Sequence, residues 1–551
     1  MLSHEKEICR DYAEAVFARF RQPLDAFPFE PDWQDQPSRF KLYQHVTRFP
    51  LPMEKLADTR TITSIVPGIT QQRREVNALS FNELSTLFLL AHGLLNRRIS
   101  ITWNMSGKTI PDALYGRGTA SGGGLYPAEM YWCHGPGASI LPGIYHYDPA
   151  HHALERLQLG DRTDRIRAAV FHHPAALNTN QFLLITANFW KNAFKYRNFG
   201  YHIVNQDIGA LIGSLNMIGL SLQADLQTLL WFQDEELNHL LGLETGVESV
   251  FAVIPIVLSS QVSPSSTAKI ASKGSYQMES ISEGQMPLIT RKSWQRSKVV
   301  KRFPRMEAVH RATLLTHAPR PLPSDTLMHE TGMGEGHGEF VPLPSPALDS
   351  LDRSIGEVIQ QRHSSFGHFS SQRPLSRSEL GTLLFFAAIA RGYATDLKST
   401  DGTPYFTQLM VFINHAEGIE PGIYHYDWRR HGLVVVRKGD YTAFLQQSYA
   451  LHNYNMREIA VVIAIIGDLY QMLEVYGNRG YRLLNVETGL VAQSTYVAAT
   501  TLKLGCGAVL GFDHLAMNEA LQLTKGFRSL LFLLAGPERF HKARFDARFL
   551  Y

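Results

Sequence analysis

Cysteine is scarce in this chain. Cys9, Cys133 and Cys506 are the only three in 551 residues, far apart and without Cys-x-x-Cys spacing. That excludes a disulfide framework and a cysteine zinc site, and it fits a reducing compartment. An excess of either charge is also missing. Against 50 Asp and Glu stand 53 Lys and Arg, a net charge of +3, too mild to argue for a nucleic-acid partner. The densest basic cluster, Lys298-Val-Val-Lys-Arg302, reads as a solvated linker segment. No long apolar run is free of polar residues. The most apolar stretch, residues 208–232, holds Gln223, Asp225 and Gln227 and reads as buried helix rather than membrane span. The N-terminus, Met1-Leu-Ser-His-Glu-Lys-Glu7, lacks the apolar core of a signal peptide. The expectation is a cytoplasmic protein with no nucleic-acid or membrane partner. Gly332-Met-Gly-Glu-Gly336 is no dinucleotide fingerprint, because Val341-Pro-Leu-Pro follows instead of a helix. His329, Glu330, Glu335, His337 and Glu339 fit no helical zinc spacing, so no metal is expected.

What is present is an ordinary globular composition, 44% hydrophobic and 19% charged. The length predicts two to four domains at roughly 100–200 residues each. The strongest feature is an internal repeat. Pro142-Gly-Ile-Tyr-His-Tyr-Asp148 recurs as Pro421-Gly-Ile-Tyr-His-Tyr-Asp427, 279 residues later. At an offset of 280 follow Tyr196 with Tyr476, Asn205 with Asn485, Gly209 with Gly489 and Phe232 with Phe512. Upstream, Leu79-Ser-Phe-Asn-Glu-Leu84 matches Leu375-Ser-Arg-Ser-Glu-Leu380 at an offset of 296. The first copy therefore carries about sixteen extra residues, placed at 96–112.

Each copy reads as α+β. Residues 82–95 and 378–391 show helical spacing with a serine cap. Residues 130–133, 183–186 and 252–256 read as strands, as do 409–413, 460–465 and 530–534. Residues 208–222 and 489–504 read as long buried helices. The domain reading is an N-terminal unit at 1–258, a polar linker and irregular region at 259–346, and a C-terminal unit at 347–551. Two equal units in tandem suggest a homodimer fused into one chain.

Three stretches carry a family resemblance: Arg117-Gly-Thr-Ala-Ser-Gly-Gly-Gly-Leu-Tyr-Pro-Ala-Glu129; Lys195-Tyr196 with Tyr201 and Asp207-Ile-Gly209; and Arg479-Gly-Tyr-Arg482 with Glu487-Thr-Gly489 and Leu504-Gly-Cys-Gly-Ala-Val-Leu-Gly-Phe-Asp513. With the repeated heptapeptide they resemble the SagB/ThcOx-type azoline dehydrogenases of the nitroreductase superfamily. These are flavin enzymes of thiazole/oxazole-modified peptide biosynthesis. The likeness spans about residues 79–255 and 352–537. It implies two tandem nitroreductase-like domains forming an intrachain pseudo-dimer, with FMN at their interface.

The family's phosphate-binding element corresponds to Arg362-His363-Ser364 in the second copy. A guanidinium gives bidentate charge-assisted bonds to phosphate. His363 stands where the family usually has a second arginine, so the match is partial. In the first copy Arg73 and Arg74 lack the serine, and the element is degenerate. The glycine-rich loop, with Arg117, Ser121, Gly122, Gly123 and Leu125, is complete in the first copy; Gly402-Thr-Pro-Tyr-Phe406 replaces it in the second. A glycine-rich turn after the long helix, with Gly505, Cys506, Gly507 and Ala508, is present only in the second copy; residues 225–231 of the first have no glycine. The losses are complementary. They predict one FMN site per chain, built jointly, with its mirror image dead.

Dehydrogenating an azoline removes a proton from Cα and a hydride from Cβ. The resemblance gives the proton to Lys195, with Tyr196 beside it to donate, accept or orient. The second copy has Val475-Tyr476 and lacks the base. The implied activity is FMN-dependent oxidation of peptide thiazolines or oxazolines to thiazoles or oxazoles, with oxygen reoxidising the flavin. The implied partners are a modified precursor peptide and a cyclodehydratase; whether two chains pair further stays open. Two alternatives also remain open: flavin oxidation of another biosynthetic intermediate, such as a carrier-bound amino acid, and a flavin-free scaffold binding a peptide or cyclodehydratase.

Overall fold

The computed structural model describes residues 2–25, 30–53, 56–70, 78–102, 110–224, 226–258, 289, 291–316, 338–348, 351–397, 405–539 and 545–549. Two antiparallel sheets and two long helices organise it. The first sheet runs in the order Thr47–Pro50, Ala153–Leu159, Gly143–Asp148, Ala128–His134, Gln181–Asn188, Glu248–Ile256. The second runs Gly505–Val509, Phe527–Gly536, Val461–Asp468, Thr407–Ile413, Gly422–Asp427, Gly432–Lys438, Phe340–Pro342. Each repeat is α+β, and the two together form a pseudo-dimer within one chain.

The sequence repeats mark local structure that is built twice. Ser80 and Ser376 cap the helices Phe81–His92 and Arg377–Ile389, and each closes a capping box with Glu83 or Glu379. The heptapeptide forms the strands Gly143–Asp148 and Gly422–Asp427. Tyr145 and Tyr424 donate to the carbonyls of Leu141 and Glu420 at 2.7 and 2.6 Å. Tyr147 and Tyr426 bond His152 and His431 across the turn that follows, at 2.8 and 2.7 Å. Asp148 and Asp427 accept N–H groups of that turn. A bulge falls at the same place in both hairpins, Ile144/Tyr145 and Ile423/Tyr424.

The long helices Gly200–Ser221 and Arg479–Thr501 begin earlier than the apolar pattern predicts. Their first turns are polar yet buried, because their side chains pair across the repeat boundary. His202 bonds the Tyr481 hydroxyl at 2.7 Å, and Gln206 donates to Asn485 at 3.1 Å. Tyr201 and Tyr481, 280 residues apart, stack with ring centres 6.3 Å apart. Backbones touch at the crossing. A Cβ on Gly209 would lie 1.9 Å from the Val486 carbonyl oxygen, and one on Gly489 would lie 1.8 Å from that of Gln206. These contacts are reciprocal, as a two-fold interface requires. A buried cluster adds charge: Arg479 and Arg482 donate to Asp234 at 2.8 and 2.7 Å.

Both termini cross to the opposite repeat. The N-terminal helix Leu2–Ala18 reaches the second unit, where Glu14 pairs with Arg528 at 2.7 Å. The strand Phe545–Arg548 pairs with the first unit's hairpin Leu94–Thr102 and Ile110–Arg117, the element formed around the extra residues. Between the repeats, Pro304–Ala312 packs as a helix on the first unit and Phe340–Pro342 adds a strand to the second sheet. Residues 259–288 and 317–337 of that region lie outside the described residues, His329, Glu330, Glu335 and His337 among them. Among the described residues no helix is long and apolar enough to cross a membrane.

Gly209→Val places two methyl groups beyond a Cβ that already meets backbone. Overpacking of this kind costs about 1–3 kcal/mol or more. Urea denaturation should show a lower midpoint for the variant; an unchanged midpoint would mean the crossing is not close-packed.

Candidate active site

The glycine-rich loop of the first repeat is fixed from both repeats. Its 3-10 turn Gly122–Gly124 has φ of 66° at both Gly123 and Gly124, the left-handed region that glycine alone enters freely. The Ser121 hydroxyl donates to Asp207 at 2.6 Å, and the Gly122 N–H donates to the other Asp207 oxygen at 2.8 Å. Ser121 also accepts the Tyr126 N–H at 2.9 Å. From the second repeat, Gln493 accepts the Ala120 N–H at 3.0 Å and donates to the Gly118 carbonyl at 3.1 Å. Burial of the Asp207 carboxyl pushes it up to about 7 against the pull of the Ser121 and Gly122 bonds.

Lys195 and Tyr196 end the helix Phe189–Tyr196, which stops where Arg197 takes a φ of 50°. The last turn suits a cation, since helix carbonyls face it. The pair stands over the loop: a Cβ on Gly123 would lie 2.6 Å from the Tyr196 hydroxyl and 3.2 Å from the Lys195 Nζ. Lys195 is exposed. Beyond Gly124 there is open space.

Arg362, at the end of the helix Ile355–Gln361, reaches the same loop from the second repeat. Its Nε donates to the Gly118 carbonyl at 2.7 Å and its Nη2 to the Arg117 carbonyl at 3.1 Å. The guanidinium lies over the Tyr496 ring at 5.3 Å. Its buried Nη1 has no partner among the described residues, and neither has the buried Ser365 hydroxyl. Buried donors are rarely left so, and each of these is open to an oxygen of a ligand or a water.

The remaining elements gather around Tyr496. Its hydroxyl accepts the Ala508 N–H at 2.7 Å and lies 3.2 Å from the Ser364 hydroxyl. The Ser365 N–H donates to the Cys506 carbonyl at 2.8 Å. His363 turns aside to Glu538 at 3.0 Å. The segment read as a glycine-rich turn is instead the edge strand Gly505–Val509, paired with Phe527–Gly536. Glycine suits it because Glu538 and Tyr454 press on Gly505 and Gly507. Arg117 is buried: its guanidinium donates to His92 at 2.6 Å and lies 4.5 Å from the Tyr126 ring centre. Its carbonyl, not its side chain, meets Arg362.

The mirror-image half differs. At the 280 offset Thr228 replaces Ala508, and its N–H donates to the Ala394 carbonyl at 2.9 Å, joining the repeats, whereas the Ala508 N–H donates to Tyr496. Asp396 accepts the N–H groups of Leu230 and Trp231 at 2.9 and 3.1 Å. Trp231 is buried, its ring 6.4 Å from that of Tyr476. Gly213 and Asn216 stand in the places of Gln493 and Tyr496. The cavity beside them, reaching Tyr393 and Ser494, holds about 20 Å³, room for one water. Arg73, Arg74 and residues 402–404 lie outside the described residues.

Gln493, Tyr496, Ser365 and Asp207 were not singled out by role from sequence. Only Asp207 left a signal, since Glu487 stands 280 residues on and likewise holds the entry to a strand, accepting from Thr407.

With this geometry in view, comparison with known proteins gives a consistent result. Residues 359–536 match the Nitroreductase family model. A protein of Methanocaldococcus jannaschii that carries the nitroreductase name is 30% identical over 189 residues, covering 34% of this chain and 92% of that protein. The chain belongs to the nitroreductase family. A crystal structure from Anabaena variabilis, also named for a nitroreductase, matches 97% of this chain and 99% of its own at a TM-score of 0.69 and 22% identity; the two share a fold over essentially their full lengths. A chain of the Escherichia coli microcin synthetase McbBCD complex, with truncated pro-MccB17 bound, matches 46% of this chain at 17% identity with a TM-score of 0.26, too low to carry anything.

A buried carboxyl at about 7 makes a pH prediction. Between its ordinary value of 3.8 and about 7 the folded chain keeps a proton that the unfolded chain has lost. Stability from this site is therefore fullest below that window and falls as pH rises through it. Urea midpoints at about pH 5 and about pH 8 should fall more for the wild type than for Asp207→Asn. Equal falls would show that Asp207 titrates normally.

Proposed function

We propose that this chain is an FMN-dependent oxidoreductase with one composite flavin site, which oxidises a peptide-borne thiazoline or oxazoline to the aromatic ring. The observation that carries the single site is Arg362. It crosses from the second repeat to the first repeat's loop and leaves Nη1 as a buried, unfilled donor. The residues present suit FMN. Arg362, Ser364 and Ser365 offer a cation and hydroxyls for a phosphate. Ser121 to Leu125 offer a side-chain-free backbone surface for a flat ring. Gly505 to Ala508 lie beside Ser365 on the far side.

FMN bound there would supply the acceptor for the hydride leaving the ring's Cβ. Lys195 takes the Cα proton, for which its position over Gly123 suits it. It is exposed there, open to a bound substrate. The Tyr196 hydroxyl, at the same glycine, orients the reacting group. Asp207 and Gln493 hold the loop and touch no substrate. The substrate is a modified precursor peptide, with a cyclodehydratase as the enzyme that makes the azoline. The mirror half is built differently: Asp396 accepts the N–H groups of Leu230 and Trp231, Trp231 packs by Tyr476, and Val475 stands where the first repeat has Lys195.

Flavin released from the denatured protein should amount to one FMN per chain; two per chain would sink the composite site, and a protein that cannot take up FMN would favour a scaffold role. Lys195→Ala should keep the flavin and lose about 10²–10⁴-fold in turnover of an azoline peptide. Near-normal turnover would remove Lys195 as the base.

A further inference from the structure

Residues 291–305 hold seven cations, Arg291, Lys292, Arg296, Lys298, Lys301, Arg302 and Arg305, and no acid, more positive charge than the net +3 of the whole chain. The linker reading treats this as a solvated run. The structure instead ties it down as a strap on the first repeat. Ser293 bridges Tyr43, and the Trp294 N–H donates to the Leu42 carbonyl at 2.8 Å. The Asp35 carboxylate accepts the N–H groups of Lys298 and Val299 at 2.6 and 2.9 Å. Between the cations stand Trp294, Val299 and Val300, 48%, 59% and 45% exposed.

Among the described residues, the acids near the strap are fewer than its cations. Asp35 accepts two backbone N–H groups, and its single charge also faces Lys298 and Arg296. Glu244 and Glu307 pair with Arg302. Lys292, Arg296, Lys298 and Arg305 form no ion pair within 4.0 Å among the described residues. The strap also leads to the proposed active site. Ser297 accepts the Trp190 indole N–H at 2.9 Å. Trp190 lies on the helix that ends in Lys195–Tyr196, five residues and about 8 Å along its axis. Phe194 on the same face meets Trp33, itself 42% exposed, with ring centres 5.4 Å apart.

We propose that this strap is a docking surface for an acidic, apolar-containing segment of the substrate polypeptide, laid along residues 291–305 so that the reacting ring reaches Lys195. This rests on the reading above for the identity of the polypeptide as substrate. The strap is an extended segment held on the first repeat by the Ser293–Tyr43 bridge and the Trp294 bond to Leu42, with its cations and Trp294 outward. Cations and apolar side chains alternate along it, which matches a segment mixing carboxylates with leucines or valines. Charge complementarity supplies orientation and encounter rate, and Trp294 with Trp33 supplies apolar contact.

The test is fluorescence anisotropy of the full chain with a fluorescein-labelled synthetic peptide of alternating Glu, Leu, Asp and Val. Saturable binding is expected, weakened about tenfold by raising salt across the Debye range. It should weaken at least as much in the triple variant Lys292→Glu, Arg296→Glu, Lys298→Glu, and also in Trp294→Ala. No binding, binding unchanged in these variants, or equal binding of oligothymidylate or of phosphatidylserine vesicles would overturn the proposal. Flavin content and turnover of a small azoline, measured on the same variants, separate the two claims. If they persist while peptide binding is absent, the strap alone fails. If the peptide binds a protein that takes no flavin, the catalytic reading fails and the docking surface stands.

Discussion

Everything in this molecule hangs on the approach of two helices at Gly209 and Gly489. Each glycine lies where a Cβ would overlap a carbonyl oxygen of the opposite helix. The close crossing brings the first turns of both helices together, and it is there that polar groups become an interface. His202 meets Tyr481, Gln206 meets Asn485, and Arg479 and Arg482 meet Asp234. Removing one partner of such a buried charge cluster leaves the other uncompensated, a loss of about 3–5 kcal/mol. The same helices carry Asp207 on one side and Gln493 on the other, the two residues that hold the glycine-rich loop. The loop is thus fixed by the interface and not by either repeat alone.

The pseudo-symmetry was legible where the structure is local. A capping box and a hairpin with its own tyrosine, histidine and aspartate bonds are complete within a dozen residues, so identical residues recur. The interface was not legible. Residues 200–207 and 479–488 look too polar for a buried helix, because the partners that satisfy them lie about 280 residues away. Gly505–Val509 reads as a turn from its glycines; only its pairing with Phe527–Gly536 makes it a strand. Arg117 sits in the right motif, yet burial and the His92 bond turn its side chain inward. The Arg362 contact with Gly118 joins residues that no pattern relates, and the family register alone pointed to it.

The terminal segments explain why the repeats cannot simply part. The N-terminal helix leaves the first repeat to place Glu14 on Arg528 of the second. Tyr12 sets its ring edge-on to both Tyr201 and Tyr481. Arg19 then donates to the Leu510 carbonyl while its guanidinium lies over Phe199, three residues past Tyr196. One arginine so joins the neighbourhood of Lys195–Tyr196 to the residue that follows the strand Gly505–Val509. The C-terminal strand returns the exchange by extending the first repeat's hairpin.

Fusion changes what selection for stability can do with the second half-site. In a homodimer every residue appears twice, and a side chain that fills one site fills both. In a single chain the halves are free to diverge, and the empty half is a liability, since unpaired N–H groups and a cleft between repeats both weaken the fold. The mirror half shows the outcome. Asp396 supplies a carboxylate to two N–H groups, Thr228 pairs directly with the 394–396 segment, and Trp231 packs by Tyr476. The gap has become interface. On the other side Ala508 is exposed, Gly124 faces open space, and Arg362 keeps a donor unfilled. That contrast within one chain sets Arg362, Ala508 and Gly124 against their mirror positions, while among the described residues buried unpartnered groups remain in both halves, Asn216 and Thr228 included: structure common to both halves serves the fold, and only the differences bear on a ligand.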